Sequence, residues 1–508
     1  MFVRKKKNKS GSVSVQIIDK KAGYRVVETI GSAKDEEEIG RLYQEGLRKI
    51  HSGHPGQQWL FPCKGPDELV IERFVKNLSN AHIRTIGPEL IFGILFDRIG
   101  FNVIEDKMFR HLTIARLAYP VSKLKTADYL ERYRGIKVEV GSIYRFLDRL
   151  RDRHKGEVEK VAYNYTKNSL GQICVVFYDI TTLYFEAEDE DDLRKRGFSK
   201  DGKFEKPQIL LGLLAGERGL PIGYDIFEGN TFEGDTLIPV LEKIQDKYGF
   251  KKPVVIADAA LLSKKNLECL TEEGYKFIIG ARIKNESKEV KEEILQKARD
   301  MEDGDSFVIK KEDGTRLAVT YSSKRAAKDA YNRHRGLRKL RKQVGSGRLT
   351  KQNINRRGYN KFLTMTGETK ITIDEERIEA DKLWDGLKGF VTSTRLSAKR
   401  VADNYVQLWQ IERAFRISKT DLKVRPMHHR LRDRIEAHIS IAFAAYTIYK
   451  ELEYLFKKRG VNMSPKRAAE LTHNMYELRY SIPGLSQERK QLLQMSEEQK
   501  ILYNAIYK

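Results

Sequence analysis

VVFYDITT, running from Val175 to Thr182, is a block of β-branched and aromatic residues that contains one carboxylate, Asp179. That composition belongs to a buried strand, where an isolated acid is costly unless something cationic meets it. VVIADAAL, Val254 to Leu261, repeats the arrangement 79 residues on, with Asp258 as its acid. The ordinary use of such an acid is to cap or turn; the alternative is to bind a metal. Around the two blocks, QILLGLLAG (208–216), LPIGYDIFEG (220–229) and KFIIGAR (276–282) read as strands, while DTLIPVLEKIQDKYG (235–249) and SKKNLECLTEEG (263–274) read as helices. Three strands joined by short turns, then alternating helix and strand, describe a mixed α/β sheet with helices on its faces.

Working outward, residues 12–31 alternate apolar and polar around a Gly-containing turn, which predicts a β-hairpin. Helical periodicity dominates 36–168. There SKLKTADYLERY (122–133) and SIYRFLDRLRDR (142–153) form two helices, the second with Ile143, Phe146, Leu147 and Leu150 on one face. A DNA-reading helix-turn-helix and an ordinary packed pair both fit that pattern. Beyond the core, SFVIKKEDGTRLAVTY (306–321) and NKFLTMTGETKITID (360–374) read as hairpins. Between them Lys324 to Lys361 carry fourteen Lys/Arg and one acid, Asp329, a net +13 in 38 residues. Solvated helices normally mix both signs, so charge this one-sided points to phosphate contact. The candidates are Arg333, Arg335, Arg338, Lys339, Arg341, Lys342, Arg356 and Arg357. GFVTST (389–394) resumes the strand pattern, and VADNYVQLWQIERAFRISKT reads as one long helix. The division expected is an arm at 1–35, a helical region at 36–168, the core at 169–282 and 389–450, a β-rich basic insertion at 283–388, and a helical region at 451–508.

A chain of 508 residues exceeds a single core. The formal charge of +24 predicts a polyanionic partner, with nucleic acid favoured over membrane. The apolar run Ile439 to Tyr449 is about half of what spans a bilayer, and the basic start is followed by no apolar segment of a secretory signal. Cys63, Cys174 and Cys269 lie far apart and read as small core residues in a reducing compartment. The expected location is the cytoplasm.

Glu412 is the third acid of interest. At about 100° per residue it falls about 20° from Tyr405 on the stripe shared with Leu408 and Trp409, and Lys419 about 40° from it. A half-exposed pair with Arg416 is the ordinary reading. If neighbouring strands bring Asp179 and Asp258 together and the helix lays Glu412 over them, three like charges repel strongly. Divalent cations remove that penalty, and hard carboxylate oxygens suit Mg²⁺. Two such ions activate a water or 3′-hydroxyl and stabilise the leaving oxygen of a phosphodiester. EAEDEDDLRK (186–195) lacks the spacing of a calcium loop, and GNTFEGDT (229–236) lacks the Lys-Ser/Thr of a phosphate loop, so neither reads as a binding site.

YDITTLYFE, GLPIGYDIFEGNTFEGDTL, VVIADAALLSKKNLECL, WDGLKGFVTST and YVQLWQIERAFRISKTDLKVRP together resemble the signature blocks of DDE transposases of bacterial insertion sequences. The similarity is to the subgroup with a β-rich insertion between the second Asp and the Glu. It implies an RNase H-like core and a catalytic, metal-binding triad of Asp179, Asp258 and Glu412, holding two Mg²⁺ with Mn²⁺ as substitute. It further implies double-stranded DNA partners (terminal inverted repeats and target), a homodimer at synapsis, and a nucleoid-associated bacterial or archaeal setting. The family's glutamate motif is Tyr, two residues, Arg, three residues, Glu, six residues, Lys. Tyr405, Glu412 and Lys419 match, whereas Leu408 stands where the motif has Arg. The phosphate contact of that Arg is then absent or supplied elsewhere, with Arg413 and Arg416 as candidates; Lys419 would touch phosphate and Trp409 would pack near the acids. A non-catalytic DNA-binding protein, or a nuclease of the same fold without strand joining, are the alternatives.

Overall fold

The computed structural model describes residues 1–21, 23–52, 66–79, 82–200, 202–347, 349–355, 357–366, 370–481 and 488–507. Two compact units emerge: Met1–Arg84 with Leu478–Gln491, and Thr85–Glu477 with Leu492–Lys508. In the first, β1 (Phe2–Lys7), β2 (Val13–Asp19) and β3 (Arg25–Ala33) form an antiparallel sheet. The hairpin expected at 12–31 is β2–β3, and β1 adds a strand to it. Helix α1 (Glu36–Ser52) closes one face, packing Ile39, Leu42 and Leu47 on Val3 and Val15; α2 (Pro66–Asn77) follows. A small separate sheet has the order β16 (Glu488–Leu492), β15 (Tyr476–Ser481), β4 (Ile83–Thr85).

The larger unit begins with helices α3 (Ile94–Ile99), α4 (Lys107–Ala118), α5 (Lys123–Arg134), α6 (Val140–Arg149) and α7 (Lys155–Leu170). Asp106 caps α4 and Ser122 caps α5, each accepting from a first-turn amide. The centre is an eight-stranded sheet. Its strands are β5 (Val175–Tyr184), β6 (Gln208–Ala215), β7 (Pro221–Glu228), β8 (Val254–Ala257), β9 (Lys276–Ala281), β10 (Ser306–Lys310), β11 (Arg316–Tyr321) and β14 (Leu387–Thr392). They lie in the order β10-β11-β14-β9-β8-β5-β6-β7. The meander β5-β6-β7 is antiparallel, and β5-β8-β9 are parallel, with α8 (Leu237–Tyr248) and α9 (Lys264–Glu272) as crossovers. This is the mixed sheet of an RNase H-like core.

The pleat divides the core in two. Phe177 and Leu183 of β5 face one hydrophobic cluster, and Val176, Tyr178 and Ile180 face the other. The first cluster contains α13 (Ala398–Val406), α14 (Trp409–Arg416) and α15 (Arg432–Lys458), the last buried on most sides because ISIAFAAYTIY carries no charge. No helix among the described residues is long and apolar enough to cross a membrane. The insertion adds α10 (Lys288–Ala298), α11 (Ser323–Gly345), the hairpin β12 (Leu363–Thr366) with β13 (Lys370–Ile373), and α12 (Glu375–Lys382). The hairpin expected at 306–321 is β10–β11, which joins the central sheet through β14. Helices α16 (Pro465–Thr472) and α17 (Glu497–Tyr507) complete this unit.

Two expectations need correction. The long helix expected across 403–419 is broken: α13 ends at Val406, α14 starts at Trp409, and a π-helical turn covers Ile417–Asp421. The break is held by tightened three-residue bonds from Gln407 N to Asn404 O and from Leu408 N to Tyr405 O. Second, Cys174 is exposed and Cys269 half-buried, because Cys174 precedes the first strand residue instead of lying within the sheet. Cys63 lies outside the described residues.

Candidate functional site

Parallel pairing sets the first two acids side by side. Tyr178 of β5 is in register with Ala257 of β8, so Asp179, within β5, and Asp258, the first residue past the end of β8, follow the last paired position of neighbouring strands, which run about 4.8 Å apart. The Asp258 side chain caps the short helical turn Ala259–Leu261 by accepting from Ala260 N. It therefore both caps and lines the site, and the two readings of that acid are compatible. Asp179 accepts from Ile180 N at 2.7 Å. Burial raises its carboxyl to about 6; Lys200 and the Ile180 amide oppose this, and Asp258 and Glu233 add to it.

Glu412 arrives from the face that Asp179 shares with Phe177. Helix α14 packs on β5 through Ile411, Ala414 and Phe415, leaving Glu412 exposed above. Tyr405 marks the meeting point. It is 9% exposed, and its ring lies 4.7 Å from that of Phe390. Burial, followed by the charges of Asp258, Glu412 and Asp179, pushes its hydroxyl up to about 12. The three acids thus act on one phenol. Gly280 makes the approach possible: a Cβ there would lie 2.6 Å from the Tyr405 hydroxyl and 3.2 Å from Ala259 N. Among the described residues no group of three His, Cys, Asp or Glu side chains is drawn together closely enough to hold a metal ion. The donors are right for a hard cation and their spacing is open.

Lys388 and Lys200 were not expected from sequence. Lys388 Nζ sits 4.4 Å from the Tyr405 ring centroid. Burial lowers its ammonium, Arg325 adds to that, and Glu412 opposes it. A lysine inside the apolar strand GLKGF was its signal. Lys200 Nζ lies 3.1 Å from Glu233 and 4.0 Å from Asp179, and no local pattern announces that contact. A cleft of about 760 Å³ leads from Ala259, Gly280 and Tyr405 along Lys388 and Trp384 to Arg325 of α11.

The sequence-derived DNA contacts divide. Arg335, Arg338, Lys339, Arg341, Lys342 and Arg357 are exposed, with Arg341 paired to Glu375 at 3.3 Å. Arg333 is 8% exposed and grips Asp385 with both terminal guanidinium nitrogens, Nη1 and Nη2, so it is not presented to a phosphate. Arg356 lies outside the described residues. Trp409 and Arg413 line a second cleft, about 800 Å³, with Tyr449, Lys450 and Tyr454; none of the three acids lines it. Arg413 is bound there to Glu453. Trp409, 48% exposed, opens the same helix that carries Glu412. Leu408, at the motif's Arg position, is 5% exposed and belongs to the core. Arg416 is exposed, and Lys419 lines a small cavity with Thr181 and Leu183 of β5.

A family model described as "Transposase DDE domain" matches residues 170–448. Among solved structures, the chain is similar to piggyBac transposase in a synaptic complex with hairpin DNA. The identity is 10% and the TM-score 0.39, covering 79% of this chain and 80% of that one. It is also similar to Mos1 transposase in a paired-end complex with the left transposon end, at 12% identity and TM-score 0.16, covering 46% and 65%. No curated protein matches the chain.

Proposed function

Because the chain belongs to the transposase DDE-domain family, whose model spans more than half of it, we propose that this transposase cleaves DNA at the ends of its element and joins the freed 3′-hydroxyl to target DNA. Asp179, Asp258 and Glu412 are its catalytic acids. The observation that carries this reading is the placement of all three acids about the buried Tyr405: Asp179 within β5, Asp258 just past the end of the paired strand β8, and Glu412 on a helix packed on β5. Those carboxylates would hold two Mg²⁺ or Mn²⁺ ions, which when bound supply an activated nucleophile and stabilise the leaving oxygen. Tyr405 stays neutral at physiological pH and supports the carboxylates without adding charge. Lys388, above its ring, contributes a fixed positive charge facing Glu412.

Double-stranded DNA is the substrate. The exposed cations of α11 and Arg357 would meet its phosphates, with Arg416 and Lys419 nearer the acids and the helical region 36–168 gripping the element ends. Two ends must be brought together, so the working form is a dimer, with 451–508 as a contact region. The setting is the cytoplasm of a bacterium or archaeon.

The test is cleavage of duplex carrying the element's ends. Asp179→Asn and Glu412→Gln should each lower Mg²⁺-dependent cutting by about 10³-fold, since metal-held charge stabilisation is worth several kcal/mol, while DNA affinity holds. Cutting at wild-type rate by either variant would remove that acid from the assignment. Cutting without joining by the unmodified protein would make it a nuclease.

A further inference from the structure

One ammonium stands among the acids. Lys200 Nζ is 3.1 Å from Glu233 Oε1, 4.0 Å from Asp179 Oδ1, and donates to the Ile180 carbonyl at 2.9 Å. Its partner is placed firmly. Glu233 opens the turn Glu233–Asp235, which packs on the turn capped by Asp258. Asn266, 2% exposed, ties the two turns together: its Nδ2 donates to Gly234 O at 2.7 Å and to Leu261 O at 2.9 Å. Glu233 is thus fixed to the same scaffold as Asp258, while Lys200 reaches in on a flexible four-carbon stem.

A lysine so placed neutralises Asp179 when no metal is present, and competes with any divalent ion that Asp179 is to bind. We propose that Lys200 and Glu233 are a positioning pair for Asp179: the ammonium is shared between the two carboxylates in the metal-free protein and passes wholly to Glu233 when a divalent ion arrives. This rests on the reading of Asp179 as a metal ligand. The pair acts through Asp179 and touches neither ion nor substrate.

The experiment is Mn²⁺ binding to the purified full-length protein, followed by the electron paramagnetic resonance of the free ion, with thermal melts alongside. Glu233→Gln leaves Lys200 on Asp179 alone, so Mn²⁺ affinity should fall about ten- to a hundredfold, the range for groups that orient metal ligands. Lys200→Met should tighten binding. The double variant Lys200→Met/Glu233→Gln should return to within about threefold of wild type, because removing the competitor removes the need for its holder. Excess Mn²⁺ should rescue cleavage by Glu233→Gln. Asp235→Asn, on the same turn, should bind as wild type.

Wild-type affinity in Glu233→Gln would overturn the proposal, and a lowered melting temperature with it would make the pair structural only. A double variant as weak as Glu233→Gln would also overturn it, since Glu233 would then be acting without Lys200. Wild-type affinity in Asp179→Asn would sink the ligand assignment itself, a result separable from the other two.

Discussion

Gly280 carries no side chain because the Tyr405 hydroxyl occupies the space a Cβ would need. Gly280→Ala should push Tyr405 off the acids and cost about 1–3 kcal/mol, the range for overpacking a tight site. A thermal melt and a cleavage assay would show both losses, with DNA affinity kept. A variant that cuts and melts like wild type would mean that the ring's exact seat is immaterial. Asp179 and Asp258 were legible in sequence because an acid in an apolar, β-branched block is conspicuous wherever it folds. Lys200 and Glu233 were not, because their pairing joins two loops through a turn that Asn266 ties in from 32 residues beyond Gly234. Glu412 was found by its stripe, although the helix supposed to carry the stripe is broken at Gln407 and Leu408. Tyr405 precedes the break, whereas Trp409 and Glu412 follow it on one helix.

Helix α11 shows what charge counting resolves and what it misses. The one-signed run forms a 23-residue helix. Its buried stripe, Arg333, Gly336, Leu337 and Leu340, packs on Phe362, Leu363 and Ile378 or pairs with acids, while the other cations face solvent. Sequence gave the excess; only the fold shows that Arg333 is spent on Asp385, 52 residues away. The two cation classes should behave differently. Arg338→Glu, Lys339→Glu and Arg341→Glu should each reduce the slope of log affinity against log salt by about one. Arg333→Ala should leave the slope alone and destabilise by about 1–3 kcal/mol, by leaving the half-buried Asp385 without its partner. Salt-series binding and denaturant titration separate them, and an unchanged slope in the first set would take α11 off the DNA.

Across the whole large unit, buried histidines make stability depend on pH. Lys123 bonds to His438 at 3.2 Å, the His429 ring lies tilted 5.1 Å from that of His438, and Arg116 donates to Leu422 O at 3.4 Å. Burial, then the charges of Lys123, Arg116, Arg434 and His428, holds His429 down to about 3, and His438 is lowered in the same way. The unfolded chain protonates both near 6.5 while the native state does not, so their contribution is intact above that pH and lost as pH falls toward 3. The slope is about 1.4 kcal/mol per pH unit for each proton. Asp179, raised to about 6, and Glu451, raised by burial, oppose them, while His111, lowered by burial, adds to them. Melting temperature should therefore drop from pH 7 to pH 5, and less steeply in His429→Phe; equal slopes would exclude the histidine. The sheet order has a consequence for synthesis as well. Strand β14 lies between β11 and β9, so a growing chain that has not passed Thr392 has nothing to dock the β10–β11 hairpin against. Glu412 emerges later still. A nascent chain that stops short of Glu412 thus holds the strands of its two aspartates but lacks the third acid.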